Sequence, residues 1–275
     1  MSLSDGEPSR TVDADWIAAH VVDPGVALVE IDVSRAAYDE GHIPGAVLWN
    51  AYTDLRDEGY RPVRPAELER LLSRSGISRE TCVVVHGYGA PLGFWLLRAY
   101  GHENVRMLMG PREQWAEAGH DWTTDEPAPA ERAYPPVEAN ADLLASREDV
   151  RDAIGDPAQI LLDVRAEAEY RGERFWPSGA SADAGRAGHV PGAVNVPIDS
   201  LRTDGGTLRD PDELRRVLEQ AGVSKDKALI TYCTIGNRAS EAWFALAHLL
   251  DYPDARVYYG SWVDWGKATD TPIES

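Results

Sequence analysis

The residues with the clearest chemical potential form a short loop between an apolar strand and an amphipathic helix. Residues 228–232 (ALITY) predict the strand, and the chain from residue 239 onward has helical periodicity. The loop between them consists of Cys233, Thr234, Ile235, Gly236, Asn237 and Arg238. N–H groups of such a loop converge on the sulfur, and the positive end of the helix dipole stabilises a thiolate or a bound anion. This position predicts a nucleophilic cysteine.

Two further residues of the loop suit this chemistry. Gly236 permits a positive φ, and Arg238 offers a planar, cationic fork of donors for an oxyanion. The competing interpretation is a buried thiol at a strand end, since free cysteine is among the most buried residue types. Cys82 illustrates that case, because it lies within an apolar run with neither Gly nor Arg beside it. We therefore interpret Cys82 as core and Cys233 as the candidate nucleophile.

The elements that must position this loop occur twice in the chain. GHIPGAV at residues 41–47 recurs as GHVPGAV at residues 188–194. LVEID at residues 28–32 precedes the first copy, as ILLD at residues 160–163 precedes the second, and both copies end with Gly and Trp at the same interval. A repeat of this length predicts two copies of one fold.

Each copy alternates short apolar runs with amphipathic stretches, which predicts an α/β fold with a parallel sheet flanked by helices. A chain of 275 residues is long enough for two such domains. We place the first at residues 1–124 and the second at residues 141–275, joined by a proline-rich linker at residues 125–140. An insertion at residues 171–188 predicts a surface loop of the second domain, an element often found at binding sites.

The whole pattern resembles the rhodanese family of sulfurtransferases in its tandem form, which includes thiosulfate and 3-mercaptopyruvate sulfurtransferases. The resemblance covers nearly the full length and implies two rhodanese-like domains. It also implies that Cys233 becomes a persulfide, and that the backbone of residues 234–238 cradles the transferred sulfur and the bound anion. The segments that carry the resemblance are DVR at 163–165, GHVPGAVNVP at 188–197, CTIGNR at 233–238 and GSW at 260–262.

Comparison of the two copies indicates that only one is catalytic. Alignment places Gly87 opposite Cys233, so the first domain has the strand but no nucleophile. We expect that domain to be inactive and to form one wall of the cleft.

Residues that occur in both copies are better explained by folding than by catalysis. We expect the imidazoles of His42 and His189 to hold turns, and the carboxylates of Asp32 and Asp163 to accept backbone hydrogen bonds. His248 lies ten residues beyond Arg238, about 15 Å along the predicted helix, which is too far for a base acting on Cys233. We give the C-terminal aromatic residues no catalytic role, although Trp262 is a candidate for the wall of the site.

The predicted reaction is a double displacement, in which Cys233 takes sulfur from a donor and passes it to cyanide or a thiol. A cysteine-dependent phosphatase or arsenate reductase is the first alternative, because such enzymes also place Cys and Arg at the ends of an anion loop. Their loop is one residue longer, and the four residues between Cys233 and Arg238 form a cradle better suited to a single sulfur. A non-catalytic rhodanese-like binding module is the second alternative, and the presence of Cys233 argues against it.

The donor is predicted less directly. Thr234 and Ile235 are neutral, as in mercaptopyruvate-using relatives, but Arg238 closes the loop with a charge, as in thiosulfate-using ones. Glu169 stands where several relatives carry a substrate-binding arginine, and Arg165 or Arg186 could compensate. We expect thiosulfate as the donor, with 3-mercaptopyruvate as the alternative.

The composition limits the remaining possibilities. A formal net charge of −19 disfavours nucleic acid and membrane surfaces, both of which need positive protein surface. The polar N-terminus and the lack of a long apolar run predict a cytoplasmic protein. Two distant cysteines offer neither a disulfide nor a metal-ligand cluster, so we expect no metal and no cofactor. The expected partners are a small sulfur donor and a small acceptor.

Overall fold

The repeat seen in the sequence appears as two α/β domains in a computed structural model, which describes residues 10–179 and 185–275. The polar N-terminal residues 1–9 and residues 180–184 of the predicted insertion lie outside the described part. Each domain contains a five-stranded, fully parallel sheet flanked by helices, as the sequence predicts.

The first domain follows a regular alternation of strand and helix. Its elements are β1 (Thr11–Val12), α1 (Ala14–His20), β2 (Val26–Asp32), α2 (Ala36–Glu40), β3 (Val47–Asn50), α3 (Pro65–Arg74), β4 (Cys82–His86), α4 (Ala90–Ala99), β5 (Val105–Leu108) and α5 (Gln114–Glu117). The strand order in the sheet is β1-β5-β4-β2-β3.

The second domain repeats this plan. Its elements are β6 (Leu144–Ala145), α6 (Arg147–Ala153), β7 (Gln159–Asp163), α7 (Glu167–Tyr170), β8 (Val194–Asn195), a 3-10 turn (Ile198–Leu201), α8 (Pro211–Gln220), β9 (Ala228–Tyr232), α9 (Asn237–Phe244) with a π-helical continuation (Ala245–Leu249), β10 (Ala255–Tyr258) and α10 (Ser261–Lys267). The strand order β6-β10-β9-β7-β8 matches that of the first sheet.

The central strands explain the apolar runs in the sequence. All five residues of β4 are buried, and β9 is buried from its second residue onward. Strands in the middle of a parallel sheet are covered by helices on both faces, so they contain continuous apolar residues rather than an alternating pattern. The carboxyl ends of β4 and β9 therefore emerge from a rigid core, each followed directly by a loop and a helix.

Helices α4 and α9 join the two domains. They pack against each other, and the ring of Phe94 in α4 meets the ring of Phe244 in α9 edge to face at 4.9 Å. Eight of the ten residues of α4 are buried for this reason, whereas α3 buries only one face. The loops that precede α4 and α9 consequently both lie near the domain interface.

The segment between the sheets contains neither helix nor strand from residue 124 to residue 143. It nevertheless contacts the first domain. The N–H of Val137 donates to Glu69 Oε1 at 2.9 Å, and the N–H of Asn140 donates to the carbonyl of Ala99 at 2.7 Å. Among the described residues, no helix has the length and apolar character needed to cross a membrane.

Candidate functional site

The loop singled out in the sequence joins β9 to α9 at the carboxyl edge of the second sheet. β9 ends at Tyr232 and α9 begins at Asn237. Gly236, the residue before the helix, has a φ of 100°, in the left-handed region that favours glycine. The side chain of Cys233 lies beneath this turn and is almost fully buried.

Hydrogen bonds hold the cysteine on both sides. The N–H of Gly236 donates to Cys233 Sγ at 3.0 Å. The N–H of Cys233 donates to Ser261 Oγ at 3.3 Å, and the carbonyl of Cys233 accepts from the N–H of Trp262 at 2.8 Å. The start of α10 thus fixes the backbone of the cysteine. An N–H directed at the sulfur favours its anionic form, because hydrogen bonds to charged acceptors are the stronger ones.

A buried carboxylate holds the two polar side chains of the loop. Arg238 donates to both oxygens of Glu169, at 2.8 and 2.9 Å, and to Thr234 Oγ1 at 2.6 Å. Thr234 Oγ1 in turn donates to Glu169 Oε1 at 2.6 Å. The side chain of Glu169 is fully buried. The two ends of the loop are therefore tied to α7 through one carboxylate.

The ionic state of this pair follows from its geometry. Burial opposes ionisation of Glu169, but the hydrogen bonds and charge of Arg238 hold the pKa of Glu169 below its usual value. Burial likewise opposes the charge of Arg238, but its hydrogen bonds to Glu169, together with the charges of Cys233 and Glu169, raise the pKa of Arg238 above its usual value. Both groups are charged and neutralise each other. Arg238, expected to offer its charge to an oxyanion, has that charge matched by Glu169.

The cysteine opens onto a cleft of about 520 Å³ between the domains. All loop residues except Gly236 line it, together with Tyr52, Tyr60 and Tyr88 of the first domain and Trp176, Pro177 and Ser178 of the insertion. The first domain thus forms one wall, as expected, and the insertion forms another. The wall is largely aromatic: the ring of Tyr60 lies 6.1 Å from the rings of both Tyr52 and Trp176.

Three other residues considered from the sequence do not line this cleft. Arg165 is fully buried and donates to Asp163 and to the carbonyl of Gly188. Arg186 donates to the carbonyl of Thr271 at 2.8 Å, so neither arginine replaces the one missing at Glu169. The expectation for Trp262 is wrong as well, because its ring is fully buried beneath the guanidinium of Arg165, 4.3 Å away.

Arg56 was missed by sequence reasoning, although it reaches the loop from the other domain. Its Nη2 donates to Asn237 Oδ1 at 2.7 Å, and the residue is only 5% exposed. A weak signal exists in the repeat: Leu55-Arg56, three residues before Gly59, recurs as Leu201-Arg202 before Gly205. That signal places an arginine in each copy without indicating where either side chain points.

The residues shared by both domains behave as expected of folding residues. His42 Nδ1 is hydrogen-bonded to the carbonyl of Tyr38 at 2.9 Å, and His189 Nδ1 to that of Tyr170 at the same distance. Each imidazole stacks on the tyrosine that holds it.

The remaining shared and excluded residues also agree with the sequence interpretation. Asp32 and Asp163 accept N–H groups from the residues that follow their strands. His248 packs among aromatic rings at the domain interface, next to Phe94 and Phe244. Burial lowers the pKa of His248 to about 4.

Comparison with known proteins identifies the class to which this fold and site belong. The rhodanese-like domain family matches residues 13–118 and 146–268. The chain belongs to the rhodanese family and is a sulfurtransferase-type enzyme with two rhodanese-like domains.

Among individual relatives, the chain is 39% identical to the "Putative thiosulfate sulfurtransferase" of Haloferax volcanii, over 100% of this chain and 99% of that one. It is 37% identical to the "Sulfur carrier protein TtuD" of Thermus thermophilus, over 97% of this chain and 96% of that one.

Solved structures give the same picture. The anaerobic ergothioneine biosynthesis enzyme of Chlorobium limicola, in complex with trimethyl histidine, superimposes with a TM-score of 0.87 at 26% identity. The match covers 97% of this chain and 70% of that enzyme. A structure of an EanB variant with a persulfide on its cysteine matches with a TM-score of 0.88 at 25% identity, over 97% of this chain and 70% of that one.

Proposed function

We propose that the protein transfers sulfane sulfur from thiosulfate to a thiol or cyanide through a persulfide on Cys233. The thiolate of Cys233 attacks the outer sulfur of thiosulfate, a new S–S bond forms, and the old S–S bond breaks. The bonding electron pair leaves with sulfite. Because sulfite is a stable anion, this step needs no general acid, which agrees with a cleft around the cysteine where no histidine is found among the described lining residues.

The second step restores the enzyme. An acceptor thiolate or cyanide attacks the outer sulfur of the persulfide, and the electron pair of the broken S–S bond returns to Cys233 Sγ. The N–H of Gly236 donates to that sulfur in the resting structure and is placed to stabilise the anion that leaves. This hydrogen bond at the floor of an open cleft is the observation that carries the proposal. The loop residues from Thr234 to Arg238 form its surroundings.

The relatives support the choice of donor and acceptor. Thiosulfate is in the name of the Haloferax volcanii protein, and the name of the Thermus thermophilus protein describes a sulfur carrier. We favour thiosulfate over 3-mercaptopyruvate on this ground. Both cysteines are free thiols, which supports work in a reducing compartment such as the cytoplasm.

Two other functions are less well supported. A phosphatase or arsenate reductase needs the arginine of the loop for the oxyanion, but Arg238 is neutralised by Glu169. A non-catalytic rhodanese-like binding module would not require a nucleophile in the cleft. The thiol of Cys233 at the floor of the cleft therefore favours an enzyme.

The test is to incubate the protein with thiosulfate and to measure its intact mass for one added sulfur. Cys233→Ser should gain none, whereas Cys82→Ala, which removes a thiol outside the cleft, should gain one. Sulfur on the Cys233→Ser variant, or turnover of an aryl phosphate that depends on Cys233, would exclude the proposal.

A further inference from the structure

The charges of the second domain around the cysteine cancel in pairs. Glu169 of α7 pairs with Arg238 of α9, and beneath the loop Asp163 of β7 pairs with Arg165, both with fully buried side chains. Neither pair leaves a net charge for an anion at Cys233. Arg238 interacts with the charge at Cys233, but its donors are occupied by Glu169 and Thr234, so a second positive charge would further stabilise a thiolate, a persulfide anion or a bound thiosulfate there.

Arg56 of the first domain supplies such a charge. Its Nη2 donates to Asn237 Oδ1, and Nη2 also lies 3.6 Å from where a Cβ on Gly236 would be. Gly236 is the residue whose N–H donates to the sulfur of Cys233. The guanidinium of Arg56 therefore contacts the same turn whose N–H donates to the sulfur of Cys233.

Among the residues that the structure describes, no carboxylate neutralises the charge of Arg56. In the described part of the chain its guanidinium forms no ion pair, its Nη1 is buried without a hydrogen-bond partner, and it lies 5.9 Å from the centre of the Tyr52 ring. Burial lowers the pKa of Arg56, and Cys233 is the strongest of the groups that oppose this effect. An unpaired charge shielded from water acts more strongly on its neighbours than an exposed one.

The repeat provides a matched residue. Arg202 is the counterpart of Arg56, and the two form equivalent isolated bridges, Arg56 with Pro62 and Arg202 with Leu208. Arg202, however, donates to Glu241 at 2.9 Å, and it lines a cavity beside Gly87, the position without a cysteine. The two arginines thus occupy related places, and only the one near Cys233 keeps an uncompensated charge.

We propose that Arg56 is an electrostatic positioning residue, which stabilises anionic sulfur at Cys233 from the domain that lacks a nucleophile. It also orients the side chain of Asn237 at the mouth of the loop. This inference extends the active site across the domain interface. Its biological meaning rests on the proposed function.

The experiment measures the rate at which neutral iodoacetamide alkylates Cys233 as a function of pH, with peptide mass mapping to separate Cys233 from Cys82. Removing a nearby cation should move the midpoint of the profile of Arg56→Met upward by about 1 pH unit. Arg56→Lys keeps the charge and should stay close to the wild type. Arg202→Met removes an equal charge that lies outside the cleft of Cys233 and should leave the profile unchanged.

Asn237→Asp serves as a second variant that does not truncate Arg56. The added carboxylate should neutralise the guanidinium and also repel the thiolate in the shared cleft, so the midpoint should move in the same direction. An unchanged midpoint in both Arg56→Met and Asn237→Asp, or an equal shift in Arg202→Met, would overturn the proposal. Alkylation requires no sulfur donor, so this result is separate from the thiosulfate test. A shifted profile in a protein that takes no sulfur would refute the proposed function alone.

Discussion

The two domains share one strand order, and the difference that matters most for the site lies in one loop. In the first domain Gly87, Tyr88 and Gly89 join β4 to α4, whereas four residues, from Cys233 to Gly236, join β9 to α9. In the second domain the N–H of Gly236, three residues after Cys233, donates to the sulfur of Cys233. In the first domain the N–H of Ala90, three residues after Gly87, donates instead to the carbonyl of Gly87. One residue of loop length thus decides whether an N–H is available for chemistry.

The surroundings of the two loops differ in the same sense. The positions that hold Glu169 and Arg238 in the second domain correspond to Ala37 and Pro91 in the first. Proline has no N–H, and it stands in the first turn of α4, where N–H groups would otherwise be free for an anion. The first domain therefore has the fold but lacks the whole anion site rather than the thiol alone.

The largest expected effect follows from this difference. The double variant Gly87→Cys/Cys233→Ser should take up no sulfur from thiosulfate, in contrast to the wild type. A Cβ at residue 87 would lie 3.0 Å from the carbonyl oxygen of Ile31, at a φ of 87° that side chains rarely adopt. Intact mass after incubation with thiosulfate measures the outcome.

The single variant Gly87→Cys is the control for folding, because it retains Cys233 and should gain one sulfur. Sulfur found on the introduced thiol of the double variant would show that a thiol at the strand end suffices and that loop length does not matter.

A second comparison concerns the ion pair of Glu169 and Arg238. Glu169→Ala should lower the free energy of unfolding by about 3 kcal/mol, since it leaves a largely buried guanidinium without its partner. The first domain folds with Ala37 and Pro91 at these positions, so the fold itself does not need the pair. Glu169→Ala/Arg238→Ala should therefore lose less than the sum of the two single losses. Urea unfolding of the three variants measures this, and additive losses would contradict a coupled pair.

Sequence reasoning reached the parts of the site that depend on local order along the chain. The repeat around His42 and His189 predicted the two sheets, and the strand, loop and helix around Cys233 predicted where the sulfur lies. These features depend on neighbours in sequence, for which residue type and spacing are sufficient signals.

The missed contacts join residues far apart in sequence. Glu169 meets Arg238 because α7 lies under the loop, and Arg56 meets Asn237 only because α4 and α9 pack the domains together. Neither side-chain direction is encoded by a local pattern. The prediction that Trp262 lines the cleft was wrong for a related reason. An aromatic residue next to a site motif can face the core instead of the cleft, and Trp262 is fully buried.

The smallest expected effect concerns the last residue of each central strand, His86 in β4 and Tyr232 in β9. The hydroxyl of Tyr232 accepts the N–H of Val190, whereas both ring nitrogens of His86 are buried without a partner in the described part of the chain. Burial, with smaller contributions from Arg112 and His42, lowers the pKa of His86 to about 3.

This shift predicts that stability depends on pH. An unfolded histidine titrates near 6.5, so between these two pH values the unfolded state binds a proton at His86 and the folded state does not. The free energy of unfolding should therefore fall with falling pH, by at most roughly 1.4 kcal/mol per pH unit in that window.

His86→Leu should remove this dependence and be no less stable than the wild type at pH 7, because it deletes two unsatisfied polar atoms. Urea unfolding of both proteins at pH 7, 6 and 5 tests this: the gap between them should widen as the pH falls, and parallel curves would mean that His86 gains a partner or water when protonated.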